Sequence, residues 1–155
     1  MIDYQTTYNE AMPKLAEAQK CQDEIAECNH ELQQVNEAIV EVCNIFNVYK
    51  TKAYLNYKLT TLNNKINNRI RERDGKLNEA LSKALDLADD ETDKGMFNVY
   101  SLSAQALGTI YSYVVLHNIH WQYSIEVDAK FAKIFAKGIN AFKQFLNQQR
   151  MLGDL

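Results

Sequence analysis

The sequence predicts an all-α fold, and three observations carry that prediction. Turn residues are scarce, with one proline (Pro13) and five glycines (Gly75, Gly95, Gly108, Gly138 and Gly153) in 155 residues. A sandwich or barrel of many short strands needs far more of them. Neither residue occurs between Lys14 and Asp74, so nothing in that run stops a helix. Within it, apolar side chains recur every seven residues, the signature of coiled-coil-like packing. Hydrophobic residues make up 46% of the chain and the net charge is only −3, which excludes disorder by composition. The length fits a single helical domain over 1–155. Within it, an elongated coiled-coil-like segment spans 10–74 and a helical bundle spans 76–150.

The first helix is expected to begin between Asn9 and Lys14, because proline is best tolerated in a first turn. Ile25, Leu32, Ile39 and Phe46 form one line of its seam, and Cys28, Val35, Val42 and Tyr49 form the other. Ala18 and Cys21 extend the register backwards with small residues. The register then fails, since it would place Asn56, Thr60 and Asn63 on the seam. Leu55, Leu59, Leu62 and Ile66 define a new one. This pattern reads as one long helix whose neighbour changes, with a hairpin turning near residues 46–54 as the competing arrangement.

Asp74-Gly75 is expected to stop the helix and turn the chain. Leu77, Leu81 and Leu85 with Ala80, Ala84 and Ala88 then make a short amphipathic helix, and Asp89 to Gly95 reads as a loop. From Met96 to Leu116 the pattern is apolar nearly all round, so that helix is expected to be buried on several sides. Phe131, Ile134, Phe135, Phe142, Phe145 and Leu146 form the stripe of a last helix ending near Arg150. Lys130, Lys133, Lys137 and Lys143 fall largely off it.

Charge is segregated along the chain. The net charge is −7 over residues 1–49, +6 over 50–76, −4 over 77–95 and +2 over 96–155. Such blocks either steer a partner or pair with one another. Lys50, Lys52, Lys58, Lys65, Arg69, Arg71, Arg73 and Lys76, interleaved with Tyr54 and Tyr57, have the composition of a polyanion contact of the single-strand-binding kind. The opposing reading pairs these cations with the acidic faces at 10–41 or 86–93.

Catalytic signatures are weak. Glu27-x-x-His30 has the spacing of a di-iron bundle, but only one such pair exists and the seam register turns both residues to solvent. His117-x-x-His120 offers two imidazoles on one helical face. Lining a groove or capping the buried helix accounts for them without a metal. Ser101, Ser103, Ser112 and Ser124 lie nearby with no strained turn to present a nucleophile, and there is no glycine-rich phosphate loop. No catalytic residue, metal or cofactor is therefore expected. Cys21, Cys28 and Cys43 are odd in number, which points to a reducing compartment. Cys21 and Cys28 stand ~10 Å apart on one helical face, too far to bridge, and read as small hydrophobes.

The N-terminal residues show no secretory pattern, so a cytoplasmic or virion-associated location is expected. The leading functional expectation is a non-enzymatic interaction or assembly protein: a structural component, adaptor or inhibitor, of phage or bacterial type. A straight helix of this length carries more seam than the remaining residues can cover. The seam residues Ile25 to Phe46 and Leu55 to Ile66 are therefore expected to meet a protein partner or a second copy. Two alternatives follow from other features. One is a nucleic-acid binder using residues 50–76. The other is a membrane-active helical protein of the pore-former type, using the apolar stretch from Leu107 to Trp121 with its Tyr, His and Trp edges.

Overall fold

In a computed structural model the described residues include the helices α1 (Tyr4–Ile45), α2 (Tyr49–Asp93), α3 (Leu102–Leu116) and α4 (Ile125–Lys137). The structure describes residues 4–45, 49–140, 143–145 and 147, without the side chains of 42–52, and no strand occurs among the described residues. The fold is all-α. It divides into two compact units, one of residues 18–73 and one combining 1–17 with 74–155.

Residues 18–73 form a helical hairpin, so the long continuous helix is corrected to its competitor. Arg73 donates to Gln22 at 2.9 Å, Arg69 pairs with Glu24, and Lys58 pairs with Glu31 at 3.2 Å. Partner numbers rise on one helix as they fall on the other, which is antiparallel pairing. The two seam registers are the facing sides of this pair. Ile25, Cys28 and Val35 are buried with Leu62 and Ile66, and Leu32, Ile39, Leu55, Leu59 and Ile70 pack against them half-buried. The change of register therefore separates two helices that face each other. Residues 46–48, between the two helices, lie outside the described residues.

In the second unit α1 is already helical at Tyr4, with Pro13 inside it. An interior proline forfeits a hydrogen bond and costs ~3 kcal/mol. Packing offsets this: Ala11 is buried, and Tyr8, Met12 and Leu15 pack against the bundle core. Ion pairs of Lys83 with Glu10 (3.3 Å), Glu79 with Lys14 (3.2 Å) and Lys76 with Glu17 (3.0 Å) again run antiparallel.

Gly75 does not stop α2, which continues for 45 residues. The reason is tertiary. Leu77, Ala80, Leu81, Ala84, Leu85 and Ala88 are all at most 1% exposed, and burying six such side chains outweighs the ~1 kcal/mol that an interior glycine costs. The expected Asp89–Gly95 loop is likewise mostly helix. Asp89 and Asp93 are held by Lys137 at 2.8 Å each, and Lys133 reaches Asp89 at 3.1 Å. The stop comes at Gly95, in the left-handed region at φ +66. Met96 N donates to Glu91 O and Gly95 N to Thr92 O, the paired closure that favours glycine at this position.

α3 starts at Leu102 instead of Met96 because Ser101 caps it, accepting from Ala104 N. Behind the cap the Glu91 carboxylate, 1% exposed, accepts from Ser103 N at 3.2 Å and Ser103 Oγ at 2.7 Å. A buried anion at a helix N-terminus is well placed against the helix dipole. Ala104, Ala106, Leu107, Ile110 and Tyr111 of α3 lie in the same core as Val127 and Ile134 of α4.

α4 ends at Lys137, short of Arg150. At Gly138 an added Cβ would come within 2.8 Å of Thr92 Cγ2, so a larger residue there would force the Thr92 side chain to shift. Residues 139–140, 143–145 and 147 are again helical. Phe145 is buried edge-on to Phe97, with centroids 6.1 Å apart. Phe142 and Leu146 of the expected stripe lie outside the described residues.

If Gly75 is an ordinary helix-interior residue, Gly75→Ala stabilises the protein by about 0.5–1 kcal/mol, since a Cβ there meets nothing within 4 Å. Chemical denaturation checks this. A loss of stability would mean that the chain turns at 75.

Candidate interaction site

Two surfaces emerge, one on each unit. On the hairpin, Ile25, Cys28, Val35, Leu62 and Ile66 are buried, while the residues packed against them stay half-buried. One flank holds a groove of about 480 Å³ lined by Asn29, Leu32, Gln33, Asn36, Glu37 and Val40. A second groove, of about 430 Å³, lies between the helices and includes Gln34, Val35, Ala38, Tyr54 and Leu55. Val40 is 59%, Tyr54 62% and Tyr57 71% exposed. Of the seam residues named from sequence, Ile25, Cys28, Leu32, Val35, Ile39, Leu55, Leu59, Leu62 and Ile66 come together. Val42 and Phe46 lie outside the residues whose side chains are described.

Half of the basic segment's eight cations are engaged within the chain, among them Lys76 on Glu17. Lys58 and Arg69 pair with α1 carboxylates. Arg73 is buried, with its guanidinium on Gln22. Lys65 and Arg71 are exposed, with no ion-pair partner among the described residues. Lys50 and Lys52 fall outside the described side chains.

The second surface lies at the corner where α3 passes to α4. α3 ends on a left-handed residue, Asn118 at φ 50. Ile119 N donates to Val114 O and Asn118 N to Val115 O, again the paired closure that ends α2. The loop then runs to Ser124, which caps α4 by accepting from Val127 N at 3.1 Å. Between these fixed ends a groove of about 780 Å³ opens. Leu81, Tyr111, Ile119 and Val127 form its buried floor, and Trp121, Tyr123 and Phe131 its aromatic sides. Trp121 Nε1 donates to Asn78 Oδ1 at 3.0 Å, and its ring meets Tyr123 edge-on at 4.8 Å. Burial first, and then the charge of Tyr123 and the hydrogen bond to it, push the Tyr111 hydroxyl well above the usual tyrosine range. Burial also raises Tyr123, against the opposing effect of Tyr111 and with the help of Asp128.

The groups considered for chemistry sit apart. His117 is the C-cap of α3, its ring 4.7 Å from that of Tyr113, and His120 lines the groove. Among the described residues no three His, Cys, Asp or Glu side chains gather as metal ligands would. Ser101 and Ser124 are helix caps, and Ser103 is committed to Glu91. Cys21 and Cys28 are buried thiols. Burial, and then the nearby carboxylates of Glu72 and Glu24, push the Cys21 thiol up, away from a reactive thiolate. No helix among the described residues is long and apolar enough to cross a membrane.

Sequence reading reached Trp121 and His120 as edges of an apolar stretch but missed Tyr123 and Asp128. They join the groove through a loop, which carries no periodicity. No family model, curated protein or solved structure matches the chain.

The tyrosine pair sets an alkaline limit. Both hydroxyls ionise higher in the folded chain than in the unfolded one, so their stabilisation is complete below about pH 10 and is lost as pH rises through the folded values. Melting temperature is therefore expected to fall as pH rises above about 10. The fall should be smaller in Tyr111→Phe, read by circular dichroism; an unchanged fall would show that the pair is not responsible.

Proposed function

We propose that the chain is a non-enzymatic helical interaction and assembly protein whose hairpin pairs with that of a second copy. The observation that carries this reading is the half-covered seam. Two helices alone leave Leu32, Ile39, Leu55, Leu59 and Ile70 only partly buried, and open grooves flank them. A second hairpin laid into these grooves completes a four-helix bundle, the arrangement in which such seams are buried on all sides.

Charge supports a self-complementary contact. Glu27 on α1 and Lys65 and Arg71 on α2 are exposed, with no ion-pair partner among the described residues, and in the proposed two-fold pair they are the groups available to bind across copies. The engagement of Lys58, Arg69 and Arg73 within the chain leaves less cationic surface for a polyanion, which sets the nucleic-acid reading behind this one.

Light scattering after size exclusion at tens of micromolar tests the proposal. The expected mass is that of two chains or a multiple. Val40→Glu changes a residue already 59% exposed, so it should fold normally and run as a single chain. A single-chain mass for the unmodified protein would overturn the proposal.

A further inference from the structure

The groove at the α3–α4 corner combines three properties. Its walls are fixed before anything binds: Asn118 and Ser124 set the ends of its loop, and Asn78 holds the Trp121 indole. A collar of uncovered apolar side chains adjoins its lining along the chain: Tyr123, in the lining, is 42% exposed, Leu116, next to the lining residue Val115, 78%, and Ile125, at the start of α4, 89%. Isolated apolar side chains on a surface are ordinary, but a contiguous set around a concave site marks a contact. Third, the one carboxylate in its lining is Asp128, which has no ion-pair partner among the described residues. The neighbouring Glu126 stays 75% exposed despite its pair with Lys130.

Aromatic walls with a free carboxylate at the lip favour an apolar group that carries a cation, since ring faces and carboxylate both attract it. The collar extends beyond the groove, so the occupant must cover Leu116 and Ile125 as well, which a small molecule lodged inside would not do. An amphipathic protein segment would. A bilayer surface fits less well. Burying Ile125 in it would carry Glu126 and Asp128 towards anionic headgroups, where an interfacial helix normally presents lysine and arginine.

We propose that this groove docks a basic amphipathic segment of a partner protein, taking one apolar side chain between Trp121, Tyr123 and Phe131 while a lysine or arginine pairs with Asp128. This surface is separate from the hairpin flanks, and its test does not depend on self-association.

Trp121 is the sole tryptophan of the chain, so its emission reports directly on the site. The full chain is titrated with a synthetic peptide of leucine and lysine at helical spacing, with its leucine–glutamate counterpart, and with vesicles of phosphatidylcholine alone or mixed with phosphatidylglycerol. The expected result is a saturable change with the lysine peptide and binding at least about tenfold weaker with the glutamate peptide. Asp128→Asn should weaken the lysine peptide by about tenfold, and Ile125→Ser should weaken it as well. Both positions are exposed, and circular dichroism checks that the variants fold. No response to the lysine peptide, equal affinity for the two peptides, or unchanged affinity in Asp128→Asn would overturn the proposal. A response to vesicles without one to peptide would also overturn it and assign the collar to a membrane surface.

Discussion

The antiparallel contact between α1 and α2 is the interaction on which the rest of the structure depends. Each helix carries apolar or buried positions three or four residues apart, the repeat that keeps side chains on one face. In the hairpin, α1 contributes Cys21, Ile25, Cys28 and Val35, and α2 contributes Leu62, Ile66 and Arg73. In the other unit, Tyr8, Ala11 and Leu15 of α1 serve with Leu77, Ala80, Ala84 and Ala88 of α2. Arg73 belongs to this pattern despite its charge: its stem occupies a buried position while the guanidinium reaches Gln22. Burial supplies most of the favourable free energy. The exposed ion pairs add little individually, but each one favours the antiparallel direction and penalises a parallel one.

The charge segregation finds its explanation here. The acidic N-terminal block and the basic block after residue 50 meet through Glu24–Arg69 and Glu31–Lys58. The acidic end of α2 meets the α4 lysines through Asp86–Lys130, Asp89–Lys133 and Asp93–Lys137. Burial opposes the charge on Asp89, yet Lys137 and Lys133 outweigh it and hold that carboxyl below the usual carboxylate range. Blocks that resemble steering fields in the sequence are in large part internal pairing. Lys65, Arg71, Glu27 and Asp128 are among the exposed groups left without an ion pair among the described residues, and these bear on partners.

Fold class and seam membership were legible in the sequence because both rest on periodicity, which survives without knowledge of neighbours. Several boundaries were not. Pro13, Gly75 and the acidic run after Asp89 are each a local stop signal worth a few kcal/mol at most, and each is overridden by a contact with residues far along the chain. Leu15, Leu77 and Asp89 are the respective examples. The seam break near residue 50 was visible, but a phase change alone does not distinguish a new neighbour from a reversal. The groove was half legible. Trp121 stands out by composition, whereas Tyr123 and Asp128 reach it only through the loop that Asn118 and Ser124 close, and loop geometry leaves no repeat to read.

Zero-length carbodiimide cross-linking, applied to an equal mixture of ordinary and heavy-nitrogen-labelled chains, tests the central antiparallel pairing most directly. Glu31 and Lys58 lie 3.2 Å apart, Glu17 and Lys76 3.0 Å, and Glu10 and Lys83 3.3 Å. The account predicts all three cross-links, each joining peptides of the same label because α1 folds against α2 of its own chain. Cross-links of mixed label would mean that the two helices pair between copies. Absence of the Glu31–Lys58 product while Glu10–Lys83 forms would mean that the chain does not fold back on itself between α1 and α2, and either result would contradict the account.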